Sequence, residues 1–125
     1  MKNFINISDL SKNELRSIID NAKKRKSERG KKPNSEPDLN QSIQGKTMIM
    51  FFAKPSTRTR ISFDLAVKQL GGSSIILNQD EIHYGKGDET IKDTAKVLSQ
   101  YADILMIRTD SHKDIDEFKK HLEIP

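Results

Sequence analysis

The sequence predicts an α/β fold, a three-layer open parallel sheet with helices on both faces. Three short apolar or β-branched runs, at residues 46–53, 74–78 and 103–107, alternate with four segments of helical periodicity. Continuous runs of this kind are typical of parallel strands that are buried on both faces. The order α, β, α, β, α, β, α with right-handed crossovers places helices on both sides of the sheet. At 125 residues, the chain is expected to form one domain, 1–125.

The first helix has a clear start signal. Ser11 and Glu14 have the spacing of a capping box, and Leu10 with Leu15 that of a hydrophobic staple. Its predicted inward stripe is Leu15, Ile18, Ile19 and Ala22.

A basic run follows that stripe. Lys23–Lys26 and 29–32 predict a solvated helix end that leads into an exposed loop at 33–44, which contains two prolines. Contact with nucleic acid is the less favoured interpretation of these charges.

Three further helices have one apolar face each. The predicted inward residues are Phe63, Ala66, Val67 and Leu70 before Gly71-Gly72; Ile91, Ala95, Leu98 and Tyr101 within 90–101; and Ile115, Phe118 and Leu122 within 111–123, with Pro125 as the stop.

The turn after the first strand has the features of an anion site. Pro55 cannot continue a strand, so Ser56 is predicted to be the N-cap of the next helix. A helix start offers unpaired N–H groups and partial positive charge, and Thr57, Arg58 and Thr59 lie in that turn. Arg60 is about 200° around the helix from Arg58, so we expect Arg58 to bind a ligand such as phosphate and Arg60 to form a structural ion pair. A Ser-capped helix with solvated arginines is the alternative.

Parallel strands bring distant segments to one edge. Residues 56–60, 80–89 and 108–109 each follow a predicted strand, so Arg58, Lys86 and Arg108 are expected to converge at the carboxyl edge of the sheet. Glycines on both sides of Lys86 would suit a mobile lid, although a plain surface loop is equally compatible. The acids of this loop and His83 have no spacing that fixes a metal site. His112 and His121 are expected at the surface.

Composition excludes several classes of function. Net charge is +4, from 22 basic and 18 acidic residues, and the pI is near 9.3, which suits anionic ligands without indicating a nucleic-acid partner. The absence of cysteine excludes disulfides and thiolate chemistry. Residues 1–7 lack an apolar signal core, and the longest apolar run, 48–53, is too short to span a membrane.

Two segments resemble the aspartate/ornithine carbamoyltransferase family. They are Phe52-Ala53-Lys54-Pro55-Ser56-Thr57-Arg58-Thr59-Arg60-Ile61-Ser62-Phe63 and Gly87-Asp88-Glu89-Thr90-Ile91-Lys92-Asp93-Thr94-Ala95-Lys96-Val97-Leu98-Ser99, followed by Met106-Ile107-Arg108-Thr109. The second segment and Met106–Thr109 are closer to the ornithine branch. The resemblance extends along the whole chain.

The resemblance implies roles for individual residues. Ser56, Thr57, Arg58 and Thr59 match the carbamoyl phosphate cradle, and Arg108 matches the arginine on the phosphate and carbonyl side; Arg58, Thr59 and Arg108 are the implied catalytic residues. Lys86 resembles a lid lysine that reaches a neighbouring subunit in a trimer. His83 lies near a position where a glutamine is usual, in a loop one residue longer. Ala53 stands where a glutamate is usual.

The resemblance also implies an activity. It predicts the amino-terminal, carbamoyl phosphate-binding half of a cytoplasmic, homotrimeric enzyme of arginine biosynthesis, which transfers a carbamoyl group to L-ornithine without metal or cofactor. Because the His-Pro-x-Gln motif and the amino-acid-binding domain are absent, we expect the 125 residues alone to be inactive, and the sheet edge after the third strand to favour association. The alternatives are aspartate carbamoyltransferase, another transcarbamoylase, or a non-catalytic anion-binding or assembly module.

Overall fold

A computed structural model describes residues 3–82 and 89–125 of the chain. The helices and strands follow the predicted order: α1 Lys12–Arg29, β1 Thr47–Phe52, α2 Thr57–Gln69, β2 Ser73–Asn78, α3 Ile91–Tyr101, β3 Ile104–Arg108 and α4 His112–His121. Short 3-10 turns occupy Ile7–Asp9 and Gln79–Glu81. The predicted α/β class is therefore confirmed, and the bounds of the strands agree to within one residue.

The three strands form one parallel sheet in the order β2-β1-β3. The register aligns Phe52, the last residue of β1, with Asn78 of β2 and with Arg108 of β3. The chain moves from β1 to β2 on one side and then crosses back to β3 on the other. The carboxyl ends of β1 and β3 therefore border the crevice at which parallel sheets of this kind bind ligands.

Each face of β1 is covered. Ile49 belongs to a core cluster with Ala95, Leu98 and Phe118, so α3 and α4 lie on that face. The ring of Phe51 packs against that of Phe118, with centroids 6.4 Å apart. Side chains alternate along a strand, and right-handed crossovers put α2 on the opposite face, where Met50 and Phe52 are buried.

Several residues predicted to face inward are exposed. β2 and β3 are the edge strands of the sheet, and their residues are at most partly buried; Ile75 of β2, for example, is 47% exposed. The prediction that all three strands are buried on both faces therefore holds for β1 alone. On the helices, Phe63, Ala66 and Tyr101 are exposed. On α3, the predicted Ala95 and Leu98 are buried, and Thr94, which was not predicted to face inward, is buried beside them.

The capping box of α1 is confirmed, but three of the four residues predicted to face inward from this helix are exposed. The Ser11 hydroxyl accepts from the N–H of Glu14, and the Glu14 carboxylate accepts from the N–H of Ser11. Leu15 is partly buried, but Ile18 and Ile19 remain about half exposed, and Ala22 is exposed too.

The basic end of α1 is less solvated than expected. Arg29 forms an ion pair with Asp38 and donates to the carbonyl oxygens of Pro33 and Glu36. Arg25 donates to the carbonyl oxygen of Asn40. These bonds fasten the loop at 33–44 to the helix, so much of the charge of the basic run is used within the chain.

After α4 the chain returns to the sheet. The helix ends at His121, two residues earlier than predicted, and the carbonyl oxygen of Pro125 accepts from the N–H of Leu105 in β3 at 2.9 Å. This bond occupies part of the β3 edge that was expected to be free; association of the chain stays a prediction. Across 3–82 and 89–125, no helix is both long and apolar enough to cross a membrane.

Candidate anion site at the carboxyl edge of the sheet

Ser56 is the N-cap residue of α2, as predicted, but its side chain does not cap the helix. The Ser56 hydroxyl donates instead to the hydroxyl oxygen of Thr59, at 2.8 Å. The backbone N–H groups of Thr57, Arg58 and Thr59 therefore have no acceptor in the part of the chain that the structure describes. Unpaired N–H groups at a helix start, with the partial positive charge of the helix, are suited to hold an anion.

The bond from Ser56 also orients the hydroxyl of Thr59. Because the oxygen of Thr59 accepts the hydrogen of Ser56, the hydrogen of Thr59 is available for another acceptor. The turn thus offers a hydroxyl donor together with its backbone donors.

Arg108 ends β3 next to this turn. Its carbonyl oxygen accepts from the N–H of Ala53 at 2.8 Å, which joins the ends of β1 and β3. Register partners on parallel strands project to the same face, so the side chain of Arg108 shares the face of Phe52, opposite to Phe51 and Phe118. This is the face that α2 covers. Arg58 and Arg108 therefore lie at the same edge and on the same side of the sheet.

The guanidinium groups of Arg58 and Arg108 are exposed. Within residues 3–82 and 89–125, neither has a hydrogen-bond or ion-pair partner. This contrasts with Arg25 and Arg29, whose guanidinium groups are occupied by the loop at 33–44. Two unneutralised cations beside a helix start favour a small, multiply charged anion as the ligand.

The ion pair predicted for Arg60 is not formed with any described residue. The nearby carboxylate of Asp64 is used by the ammonium of Lys68, at 2.8 Å, and by the hydroxyl of Ser74. The hydrogen bond from Lys68 and then that from Ser74 lower the pKa of Asp64. Lys68 is four residues from Asp64 along the helix, a spacing at which opposite charges on a helix meet.

Lys54 and Asp110 form a further ion pair at this edge. Lys54 lies between β1 and α2, and Asp110 lies between β3 and α4, so the pair joins the two turns that border the crevice. The sequence alone assigned no role to either residue. Residues 56 positions apart carry no local signal, and only the parallel pairing of β1 with β3 brings them together.

The other residues proposed for this edge are His83 and Lys86, and they lie outside the described part of the chain. Asp80 and Glu81, which precede them, form a 3-10 turn, where the carboxylate of Glu81 accepts from the N–H of Asn78 at 2.7 Å. No cluster of three metal-binding side chains occurs within 3–82 and 89–125. His112 is exposed, as expected, whereas His121 is partly buried and bonds to Glu117 at 3.0 Å.

Together, the fold and the candidate site define a class of protein: a parallel α/β domain with a candidate anion site at the point where the strand order reverses. Residues 2–125 match the family model described as aspartate/ornithine carbamoyltransferase, carbamoyl-P binding domain. The chain belongs to this family.

The relatives agree with this family. The ornithine carbamoyltransferase of Paracoccus denitrificans is 40% identical over 125 residues, which cover all of this chain and 40% of that protein. Ornithine carbamoyltransferase from Pyrococcus furiosus aligns with a TM-score of 0.87 and 37% identity over 99% of this chain and 38% of its own. The catalytic subunit of M. jannaschii aspartate transcarbamoylase aligns with a TM-score of 0.83 and 33% identity, covering 100% of this chain and 40% of that one. The chain thus spans about 40% of the length of these relatives.

Proposed function

We propose that the chain, as one domain over residues 1–125, binds carbamoyl phosphate and forms the carbamoyl phosphate half of an ornithine carbamoyltransferase. One observation carries the proposal: Arg58 and Arg108 stand unpartnered within the described residues on the same side of the crevice between β1 and β3, beside the open start of α2. Carbamoyl phosphate is a small dianion with a carbonyl group, so it can use both arginines and the donors of the turn.

The donors divide between the two ends of this ligand. The N–H groups of the first turn of α2, with Ser56, Thr57 and Arg58, would hold the phosphate. The free hydroxyl hydrogen of Thr59 and the guanidinium of Arg108 would face the carbonyl oxygen. In the reaction, the δ-amine of ornithine attacks the carbamoyl carbon and charge builds on that oxygen. The amine then loses a proton, the bond from the carbamoyl carbon to the phosphate oxygen breaks, and citrulline and phosphate are formed. Donors that are already in place for the developing charge are typically worth several kcal/mol.

Ornithine as the acceptor is supported by the names of the relatives, among them that of Paracoccus denitrificans. The similarity to an aspartate transcarbamoylase keeps aspartate as the alternative acceptor. The proposal extends, on the family resemblance alone, to a cytoplasmic trimeric enzyme of arginine biosynthesis. His83 and Lys86, which lie outside the described residues, stay the candidate residues toward a neighbouring subunit. Because the chain spans about 40% of these proteins, we expect no citrulline and no carbamoyl aspartate from it alone.

Calorimetric titration with freshly dissolved carbamoyl phosphate tests the site. Arg58→Ala and Arg108→Ala should each weaken binding by about 10-fold or more, because each removes a charge-assisted hydrogen bond. Arg60→Ala is the matched control: it removes the same charge from the same helix and should change affinity by less than about 2-fold.

Equal, weak binding by wild type and Arg58→Ala would overturn the proposal and favour an assembly module. An equal loss in all three variants would indicate a general attraction between charges in place of a defined site.

A further inference from the structure

Lys54 and Asp110 form an ion pair that the proposed carbamoyl phosphate site does not use. Lys54 follows β1 by two residues, and Asp110 follows β3 by two residues. Since β1 and β3 are neighbours with Phe52 aligned to Arg108, a side chain that joins these turns crosses the opening of the crevice. The ammonium of Lys54 is therefore at the edge where Arg58 and Arg108 also lie.

The pair does not have the features of a structural brace. The side chain of Asp110 is 75% exposed and that of Lys54 38% exposed. Exposed pairs of this kind contribute little to stability, since water screens them and the side chains lose freedom. The backbone bond between Ala53 and Arg108 already joins the two strands at this point.

Only some of the cations around the crevice have an acidic partner in the described part of the chain. Among the described residues, Arg58 and Arg108 have no acidic partner, whereas Lys54 is paired with Asp110. An ammonium on a flexible stem can exchange one carboxylate for another anion by rotating its side chain, at small cost. A ligand that enters the crevice would compete with Asp110 for Lys54 and would also meet the negative charge of Asp110.

We propose that Lys54 is a third cation for the bound dianion and that Asp110 is a built-in competitor, which holds Lys54 in the empty site and lowers affinity for the ligand. The inference rests on the proposed anion site. If Asp110 is a competitor, its substitution strengthens binding of the ligand. If Asp110 instead braced the site, its substitution would weaken binding.

Titration of the chain with inorganic phosphate and with carbamoyl phosphate tests whether substitution of Asp110 raises or lowers the affinity. Asp110→Asn keeps the size of the side chain and removes its charge, and it should raise affinity by about 3- to 10-fold at low salt. Lys54→Met should lower affinity by a similar factor. In the Lys54→Met background, Asp110→Asn should give a gain clearly smaller than in the wild type, because most of its effect acts through Lys54.

Asp116→Asn is the matched control. It removes the same charge from an exposed residue of α4 that does not pair with Lys54, and should change affinity by less than about 2-fold. Thermal denaturation of each variant verifies that all of them are folded.

The outcomes separate the two proposals. Lower or unchanged affinity in Asp110→Asn overturns the competitor role, and an equal gain in the wild-type and Lys54→Met backgrounds overturns the role of Lys54. If wild type binds neither anion, both this inference and the proposed function fail. If wild type binds and only Arg58→Ala and Arg108→Ala lose affinity, the proposed function stands without this inference.

Discussion

The backbone N–H of Ala53 donates to the carbonyl oxygen of Arg108 at 2.8 Å, one residue beyond the last aligned pair of β1 and β3. This bond places the turn that carries Arg58 beside the residue that supplies the second arginine. The backbone of the sheet therefore sets the positions from which the two arginine side chains extend.

Ser11 and Ser56 both precede helices, but their substitution by alanine should have different effects on stability. Ser11→Ala removes a complete capping box and should lower the free energy of unfolding by about 1 kcal/mol. Ser56→Ala removes only the bond to Thr59, so stability should change by less than about 0.5 kcal/mol while phosphate affinity falls by about 3- to 10-fold.

Urea denaturation and calorimetry measure the two effects of this pair of substitutions. A large loss of stability in Ser56→Ala would contradict the conclusion that this side chain serves the ligand in preference to the helix.

Thr94 has a buried hydroxyl without a hydrogen-bond partner in the described part of the chain. A buried polar group without a partner typically costs about 1–3 kcal/mol, so Thr94→Val should leave stability unchanged or raise it by about 1 kcal/mol. Chemical denaturation at pH 7 measures the change. Thr94→Ala is the control, because it removes the hydroxyl together with the methyl group and should destabilise the buried face of α3. Destabilisation by valine greater than that by alanine would show that the hydroxyl is satisfied.

Asp103 should make stability depend on pH. The backbone N–H of Thr47 and then the ammonium of Lys46 donate to its carboxylate, at 2.9 Å each, and these bonds lower the pKa of Asp103. A carboxyl group whose pKa is lower in the folded state stabilises above its unfolded pKa, near 3.8, and this contribution is lost as the pH falls through the folded value.

Asp103→Asn should therefore have a lower free energy of unfolding than wild type at pH 7. As the pH falls below about 4, its free energy of unfolding should decrease less steeply than that of wild type. Denaturation midpoints from pH 7 to pH 2.5 measure this slope. Parallel curves for wild type and variant would contradict it. Asp116→Asn, on the exposed surface of α4, serves as the control.

The pair between Arg29 and Asp38 should contribute more to stability than the exposed pairs of α1. The two side chains are only 13% and 12% exposed, and the guanidinium also holds carbonyl groups of the loop. Asp38→Asn should cost about 1–3 kcal/mol, because it leaves a shielded cation without its counter-ion.

Glu28→Gln is the matched control for Asp38→Asn. It disrupts the exposed pair with Lys24 and should cost less than about 0.5 kcal/mol. Equal effects of the two substitutions in urea denaturation would show that the loop at 33–44 is not held by this contact.

The sequence by itself determined the order of the helices and strands, because each is specified by local signals: apolar runs for β1, β2 and β3, the capping box of Ser11 and Glu14, and the proline before Ser56. It also determined that Arg58 and Arg108 meet at one edge, since the carboxyl ends of parallel strands always do. Only the tertiary structure decided that the Ser56 hydroxyl binds Thr59, that Lys68 and Ser74 share Asp64, and that Asp110 holds Lys54. Those contacts depend on the register of the strands and the rotation of each helix, which side-chain spacing along one element does not specify.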